Sequence, residues 1–287
     1  MPLTRIDDLL AEAANELARA GVEQPELDAR LLLQHVTGFT RSQLLLSGGE
    51  PVDEQAAGSF RRIIQQRAQR IPLQYLTGSQ EFWSLDFKVS PAVLIPRPET
   101  EFLLEQVVRT CAGTDVTTAL DLCTGSGVIA VVLAKELHCK VVAVDISPAA
   151  LAIAACNIIR HGMTEQIQLV CGDMLTPLDR NRPFDLLVSN PPYVAEEEIG
   201  RLQPEVGQAE PRLALSGGPG GMQCLERIAA DAFAYLRPGG WVFVEIGADQ
   251  GEAVMALFGS KTSSYDQVGV INDWTGRPRV LQARRIP

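Results

Sequence analysis

The chain has 287 residues, 46% apolar and 21% charged, which suits a soluble globular protein of about two domains. No apolar stretch approaches the roughly 20 residues of a membrane helix, and the opening Met1-Pro2-Leu3-Thr4-Arg5-Ile6-Asp7-Asp8 puts acids where an export signal carries basic residues. The formal charge of −10 repels nucleic acid phosphates, and neither the first 80 residues (8 basic, 10 acidic) nor the remainder (17 and 25) is a basic module.

The first part reads as helical. Leu9, Leu10, Ala13, Ala14 and Leu17 recur at helix spacing, Gly21 offers a stop, and Pro25-Glu26 a new start. Leu27, Leu31, Leu32 and Val36 continue on one face until Gly38. A third helix is expected from about Asp53 to Arg70, closed by Pro72. Arg61, Arg62, Arg67 and Arg70 on it read as a solvated helix face, with a docking face as the alternative.

From Gln80 the texture changes. Phe82, Trp83, Leu85, Phe87 and Val89 largely alternate and predict a short hairpin. Pro98 and Glu99 then open a helix to about Cys111. Beyond it strands alternate with helices. Strands are expected at Thr118–Leu122, Lys140–Ile146, Ile167–Cys171, Phe184–Ser189 and Gly240–Ile246. Helices are expected at Val128–Leu137 and after Ser147-Pro148. This alternation predicts a mainly parallel, doubly wound sheet, with ligands at the C-terminal ends of its strands.

Two motifs fall at such ends. The first is Asp121-Leu122-Cys123-Thr124-Gly125-Ser126-Gly127, a strand-to-helix turn whose glycines let the backbone approach a ligand. Asp145 ends the next strand and can accept from the two hydroxyls of a ribose. Asp173 ends the one after and can accept from an adenine amino group, with Met174 against the ring. The glycine loop alone equally matches a dinucleotide site, since Gly125, Gly127 and Ala130 fit the G-x-G-x-x-A pattern. Asp121 argues for a cationic ligand, S-adenosylmethionine, because a pyrophosphate is repelled by a carboxylate at the strand end.

The second motif, Asn190-Pro191-Pro192-Tyr193, follows strand Phe184–Ser189. An amide nitrogen is a poor nucleophile because its lone pair is delocalised into the carbonyl. To attack a methyl sulfonium it must be held with that lone pair along the C–S axis. The Asn190 side-chain oxygen and the Pro191 carbonyl can each accept one hydrogen from a target NH₂, fixing its orientation. The prolines supply no competing N–H, and Tyr193 can stack on a planar amide or base. His35, His138 and His161 lie outside both motifs and read as non-catalytic.

With these residues in place, the chain resembles the release factor glutamine methyltransferase (PrmC/HemK) family over nearly its whole length. The resemblance rests on Tyr75-Leu76-Thr77-Gly78, Glu81-Phe82-Trp83, Pro96 to Glu101, Asp121 to Gly127 and Ala143 to Pro148. It continues through Ser189 to Tyr193, Glu210-Pro211-Arg212-Leu213-Ala214-Leu215 and Glu245-Ile246-Gly247. It implies a class I S-adenosylmethionine-dependent methyltransferase fold, Rossmann-like, behind a small N-terminal helical domain. The expected division is a substrate-recognition domain at 1–78, a hairpin linker at 79–96 and a methyltransferase domain at 97–287. S-adenosyl-L-methionine is expected at Asp121, Cys123, Thr124, Gly125, Ser126, Gly127, Asp145, Asp173, Met174 and Asn190. Asn190 to Tyr193 are implied to hold the glutamine of a Gly-Gly-Gln loop on a peptide chain release factor. Arg97 and Pro98 are expected on the substrate side, in the segment Pro96–Thr100, which the resemblance favours as a roof over the site, with a rigid hinge between domains as the alternative. One departure is Cys123, where a glycine is common; altered packing is expected, with binding retained.

Rival readings are a ribosomal-protein glutamine methyltransferase with the same motif, an adenine-N6 methyltransferase of nucleic acids, and a dinucleotide-dependent oxidoreductase. The acidic charge counts against the second, and idle Asn190–Tyr193 against the third. The six cysteines are scattered, with no C-x-x-C pair, so neither a disulfide framework nor a metal site is expected. A reducing cytoplasm, a protein substrate, no membrane, no nucleic acid partner and a monomer complete the expectations.

Overall fold

Residues 5–261 and 264–286 are described by a computed structural model, and their contacts divide the chain into two units. The first contains the residues up to Ser79 together with Gln203–Ala209, and the second the rest. The 80–96 segment, expected as a separate linker, clusters with the second unit.

In the first unit, α1 (Ile6–Arg19), α2 (Pro25–Thr37) and α4 (Glu54–Ala68) enclose a core. Ile6, Leu9, Leu17, Leu32, Leu33, Phe60 and Ile64 are buried in it. Gly38 ends α2 in the left-handed region at φ 73°, where a side chain is disfavoured. Two short helices, α3 (Arg41–Leu46) and α5 (Leu73–Thr77), were not foreseen. The first is marked by Thr40 and Gln43, which form a reciprocal capping box. Arg67 and Arg70 belong neither to a solvated nor to a docking face. Arg67 is buried, bonding Asp28 at 2.7 Å and Glu205 at 2.9 Å, while Arg70 bonds Glu205 at 2.6 Å. Buried charges are tolerated only when paired this closely.

From Gln80 onward the second unit holds the hairpin of β1 (Ser79–Phe82) and β2 (Leu85–Lys88), turned at Trp83 and Ser84, both at positive φ. Next come α6 (Pro98–Cys111), β3 (Thr118–Leu122), α7 (Val128–Glu136), β4 (Lys140–Asp145), α8 (Pro148–Arg160), β5 (Ile167–Cys171) and β6 (Phe184–Ser189). The unit continues with α10 (Arg212–Leu215), α11 (Gln223–Asp231), β7 (Leu236–Glu245), α12 (Gly251–Gly259), β8 (Tyr265–Asn272) and β9 (Pro278–Arg285); α9 (Pro204–Gly207) lies in the first unit. The sheet order is β5-β4-β3-β6-β7-β9-β8, parallel except where β9 pairs with β7 and β8. The direction of building reverses between β3 and β6, and there the parallel register sets Leu122 beside Ser189. A topological switch point of this kind leaves a crevice at the strand ends.

Helices cover both faces, with one apolar core around Leu103, Val131 and Ile158 and another around Leu225, Ile228 and Phe258. Strand β7 starts earlier than its apolar run, because Arg237-Pro238-Gly239 sits beside a register shift in the β6 pairing. The antiparallel pair β8 and β9 was not foreseen. Charged and polar residues interrupt its apolar pattern, and its edge strand is only partly buried.

Candidate functional site

A cavity of about 340 Å³ opens in the second unit at the C-terminal ends of β3 to β6. Of the residues expected at the cofactor, Cys123, Thr124, Gly125 and Ser126 line it from the first loop. Asp145, Asp173, Met174 and Asn190 line it from the next three strand ends. Pro192 also reaches it, whereas Asp121, Gly127, Pro191, Tyr193, Arg97 and Pro98 do not.

The first loop is held mainly through backbone. Thr124 N donates to Val144 O at 3.0 Å, and Gly125 N to Asp145 Oδ2 at 2.9 Å. The second Asp145 oxygen accepts from Ser147 N at 2.9 Å, where α8 begins. Both oxygens are therefore anchored and each keeps a lone pair for a ligand. The fully buried Asn157 on α8 donates to Ser126 O at 2.8 Å and to Lys88 O at 3.0 Å, tying the loop to the hairpin. Cys123 adopts φ 61° and Met174 φ 51°. These positive angles are uncommon for such residues and are kept only where the surroundings impose them.

The two glycines differ. At Gly125 an added Cβ would meet only Cys123 O, 4.0 Å away, so its missing side chain leaves room in the cavity. At Gly127 it would lie 3.2 Å from Ala154 Cβ and 3.3 Å from Ala154 Cα. That glycine permits α7 and α8 to pack; it does not face the cavity.

Asp121 is fully buried beneath the loop. Its Oδ2 accepts from Thr124 Oγ1 at 2.5 Å and from Ala130 N at 3.1 Å, while Oδ1 has no partner among the described residues. Burial pushes this carboxyl up to about 7. Arg227 also lines the cavity and bonds Asp173 Oδ1 at 2.8 Å.

Around Asn190 the arrangement is made of side chains. Asn190 Nδ2 donates to Thr100 Oγ1 at 2.9 Å, and Thr100 Oγ1 donates to Glu245 Oε2 at 2.7 Å. Tyr193 OH donates to Glu245 Oε1 at 3.1 Å. Glu245 is fully buried, and burial pushes its carboxyl up to about 7 against the pull of these hydrogen bonds. Gln250 Nε2 donates to Tyr193 O at 3.0 Å and to Gly221 O at 3.2 Å, fixing the end of the turn. Nothing among the described residues donates to the Pro191 carbonyl. Arg97 is committed to Glu210 at 2.6 Å, and Glu210 also accepts from Ile95 N at 3.3 Å. That pair joins the 92–97 strap to the 210–216 segment; Ala92 and Pro96 from one and Pro211 and Leu213 from the other line the cavity.

The sequence placed Thr100 only at the end of the roofing segment, with no contact to Asn190, and assigned no role to Glu245 or Arg227. Glu245 carried a usable signal, since it ends strand β7 after a buried apolar run, as Asp145 ends β4 and Asp121 nearly ends β3. Thr100 carried none, because only the fold brings the first turn of α6 to Asn190. His35 and His138 are exposed, and His161 packs on Phe87; none lines the cavity. Among the described residues no cluster of three His, Cys, Asp or Glu is placed to hold a metal ion, and no helix is long and apolar enough to cross a membrane.

Comparison with known proteins gives the family. Residues 8–78 match the PrmC N-terminal domain and residues 98–219 the methyltransferase small domain. The chain is 45% identical to the release factor glutamine methyltransferase of Moorella thermoacetica over 96% of this chain and 97% of that protein. It is 43% identical to that of Geobacter sulfurreducens, over 93% and 92%. Among solved structures, a methyltransferase from Pyrococcus furiosus superposes with a TM-score of 0.54 at 20% identity, covering 72% of this chain and 91% of that one, a likeness of fold alone. With relatives this similar over nearly their full length, the chain belongs to the release factor glutamine methyltransferase family.

Proposed function

We propose that the protein methylates the side-chain amide nitrogen of the glutamine in a Gly-Gly-Gln loop of a peptide chain release factor, using S-adenosylmethionine. The observation that carries this reading is the Asn190 carboxamide, tethered by its nitrogen to Thr100 beside a cavity built of strand-end carboxylates.

The residues fit the methyl donor. The unpartnered Asp121 Oδ1 leaves a buried carboxyl oxygen under the loop, behind the cavity wall, suited to attract a cationic ligand through its field or through a bridging water. Asp145, with both oxygens fixed, is prepared to accept from ribose hydroxyls; Asp173 and Met174 border the space for an adenine. When bound, S-adenosylmethionine supplies an electrophilic methyl group on a sulfonium.

The remaining work falls to the chain's own groups. Asn190 Oδ1 and the Pro191 carbonyl accept the two hydrogens of the target NH₂, which favours a pyramidal nitrogen with its lone pair facing the donor. Tyr193, its hydroxyl engaged with Glu245, offers its ring to the planar amide. Arg97 acts on the substrate side by holding the 92–97 strap through Glu210. The acidic surface suits a protein substrate better than a nucleic acid.

The test is methyl transfer from labelled S-adenosylmethionine to a purified release factor, beside a Gln→Glu variant of its Gly-Gly-Gln loop. Label on the unaltered factor alone supports the reading. Label on neither, with donor binding intact, moves it to a ribosomal protein.

A further inference from the structure

A carboxamide has one acceptor end and one donor end, and a half-turn about its last bond exchanges them. Only the acceptor end can receive a hydrogen from a target NH₂; the donor end repels it. The cavity alone does not choose between them. The chain of hydrogen bonds behind Asn190 does.

Resting on the reading of Asn190 above, we infer that Glu245, acting through Thr100, is a positioning residue for methyl transfer: it sets which end of the Asn190 carboxamide meets the target amide. Thr100 has a single hydroxyl proton, and that proton goes to Glu245 Oε2 at 2.7 Å. Thr100 can then offer Asn190 only a lone pair, so Asn190 turns its Nδ2 to Thr100 at 2.9 Å and leaves Oδ1 as the acceptor for the substrate. An ionised carboxylate accepts only, and its other oxygen is taken by Tyr193 OH at 3.1 Å. The same anion therefore anchors both ends of the Asn190–Tyr193 turn. It also lies two hydrogen bonds behind Asn190, with a sign that favours the positive charge developing on the target nitrogen.

The polarity of the relay depends on that charge. A protonated Glu245 has a hydrogen to give, the Thr100 proton is released toward Asn190, and the carboxamide can present its NH₂ to the substrate. The groups facing Glu245 come from three places. Glu99 and Thr100 lie on α6, Tyr193 on the turn after β6, and Arg279 on β9. Arg279 favours the ionised form, while burial and Glu99 oppose it. The carboxyl titrates at about 7, so the active polarity is gained as pH rises through that value.

The test uses the full chain, saturating S-adenosylmethionine and a release factor substrate. Thr100→Val keeps the shape and removes the hydroxyl; Thr100→Ser keeps the hydroxyl. We expect kcat to fall about tenfold to a hundredfold in Thr100→Val, less than the loss of a direct contact. Donor affinity should hold, and Thr100→Ser should recover most of the rate. The wild-type rate should climb between about pH 6 and 8, and Glu245→Gln should be slow with that limb gone. Asp121 titrates in the same range, but its charge acts on donor binding, so at saturating donor the limb in kcat belongs to Glu245. A wild-type rate in Thr100→Val, equal losses in both Thr100 variants, or a limb surviving in Glu245→Gln would each overturn the inference. A wild type that transfers no label to the factor would instead overturn the proposed substrate.

Discussion

The loop 123–126 lines the same cavity as Asn190 and Pro192 of the turn 190–193, but loop and turn are held by different means. The loop is fixed by its own backbone, through Gly125 N on Asp145 and Thr124 N on Val144. The turn is fixed by side chains from segments far apart in sequence, Thr100, Glu245 and Gln250. Each half has one buried carboxylate beneath it. Asp121 keeps an oxygen without a partner, whereas both oxygens of Glu245 are engaged. An unpartnered buried charge suits a group waiting for a ligand, and a fully bonded one suits a group that orients its neighbours.

If that difference is right, variants in the two halves should fail in different ways. The largest effect is expected from Asn190→Ala, which removes the acceptor: single-turnover methyl transfer should drop about a hundredfold to a thousandfold, with most donor affinity retained by calorimetry. On the cofactor side, Asp121→Asn removes the charge but keeps an acceptor for Thr124 and Ala130. Donor affinity should weaken about tenfold to a hundredfold, as for a hydrogen bond to a charged group, while kcat at saturation changes little.

The same variant bears on stability. In the folded chain Asp121 and Glu245 both titrate at about 7, against 3.8 and 4.5 for the unperturbed groups. Between those values and 7 the folded state holds more protons than the unfolded one, so these groups contribute less stability as pH rises through that window. Asp121→Asn should therefore raise the melting temperature at pH 8 and have much less effect at pH 5. A gain of equal size at both pH values would contradict the assignment.

Smaller effects should separate the two glycines. Gly127→Ala brings a Cβ against Ala154 at a positive φ, and overpacking of that kind costs about 1–3 kcal/mol. Denaturant unfolding should show that loss, with donor affinity preserved in the folded fraction. Gly125→Ala is also strained by its φ of 55°, but its Cβ would enter open space, so its donor binding should weaken more than that of Gly127→Ala.

The contrast also explains what could be read from the sequence. The parallel strands, the first-loop turn and the acids at 121, 145 and 173 were legible because each is local: a strand, its end and a glycine or carboxylate follow one another along the chain. Asn190–Tyr193 was legible for the same reason. The support behind it was not, since Thr100 and Glu245 stand 145 positions apart and meet only through the packing of α6 on the sheet. Gly127 was read as a ligand-facing glycine because the motif gives no sign that α8 passes behind it. Arg67 and Arg70 were read as surface because their partner Glu205 lies more than 130 positions away. Helix α3 and strands β8 and β9 were missed where short length or a broken apolar pattern left periodicity too weak to use.

The most direct test of the separation is a double-mutant cycle of Asp121→Asn and Thr100→Val, read in kcat/KM for S-adenosylmethionine with a release factor as acceptor. Independent halves predict that the two losses add to within about 0.5 kcal/mol in the double variant. A coupling well beyond that, about 1 kcal/mol or more in either direction, would mean that donor binding and amide orientation are one network, and would contradict the account.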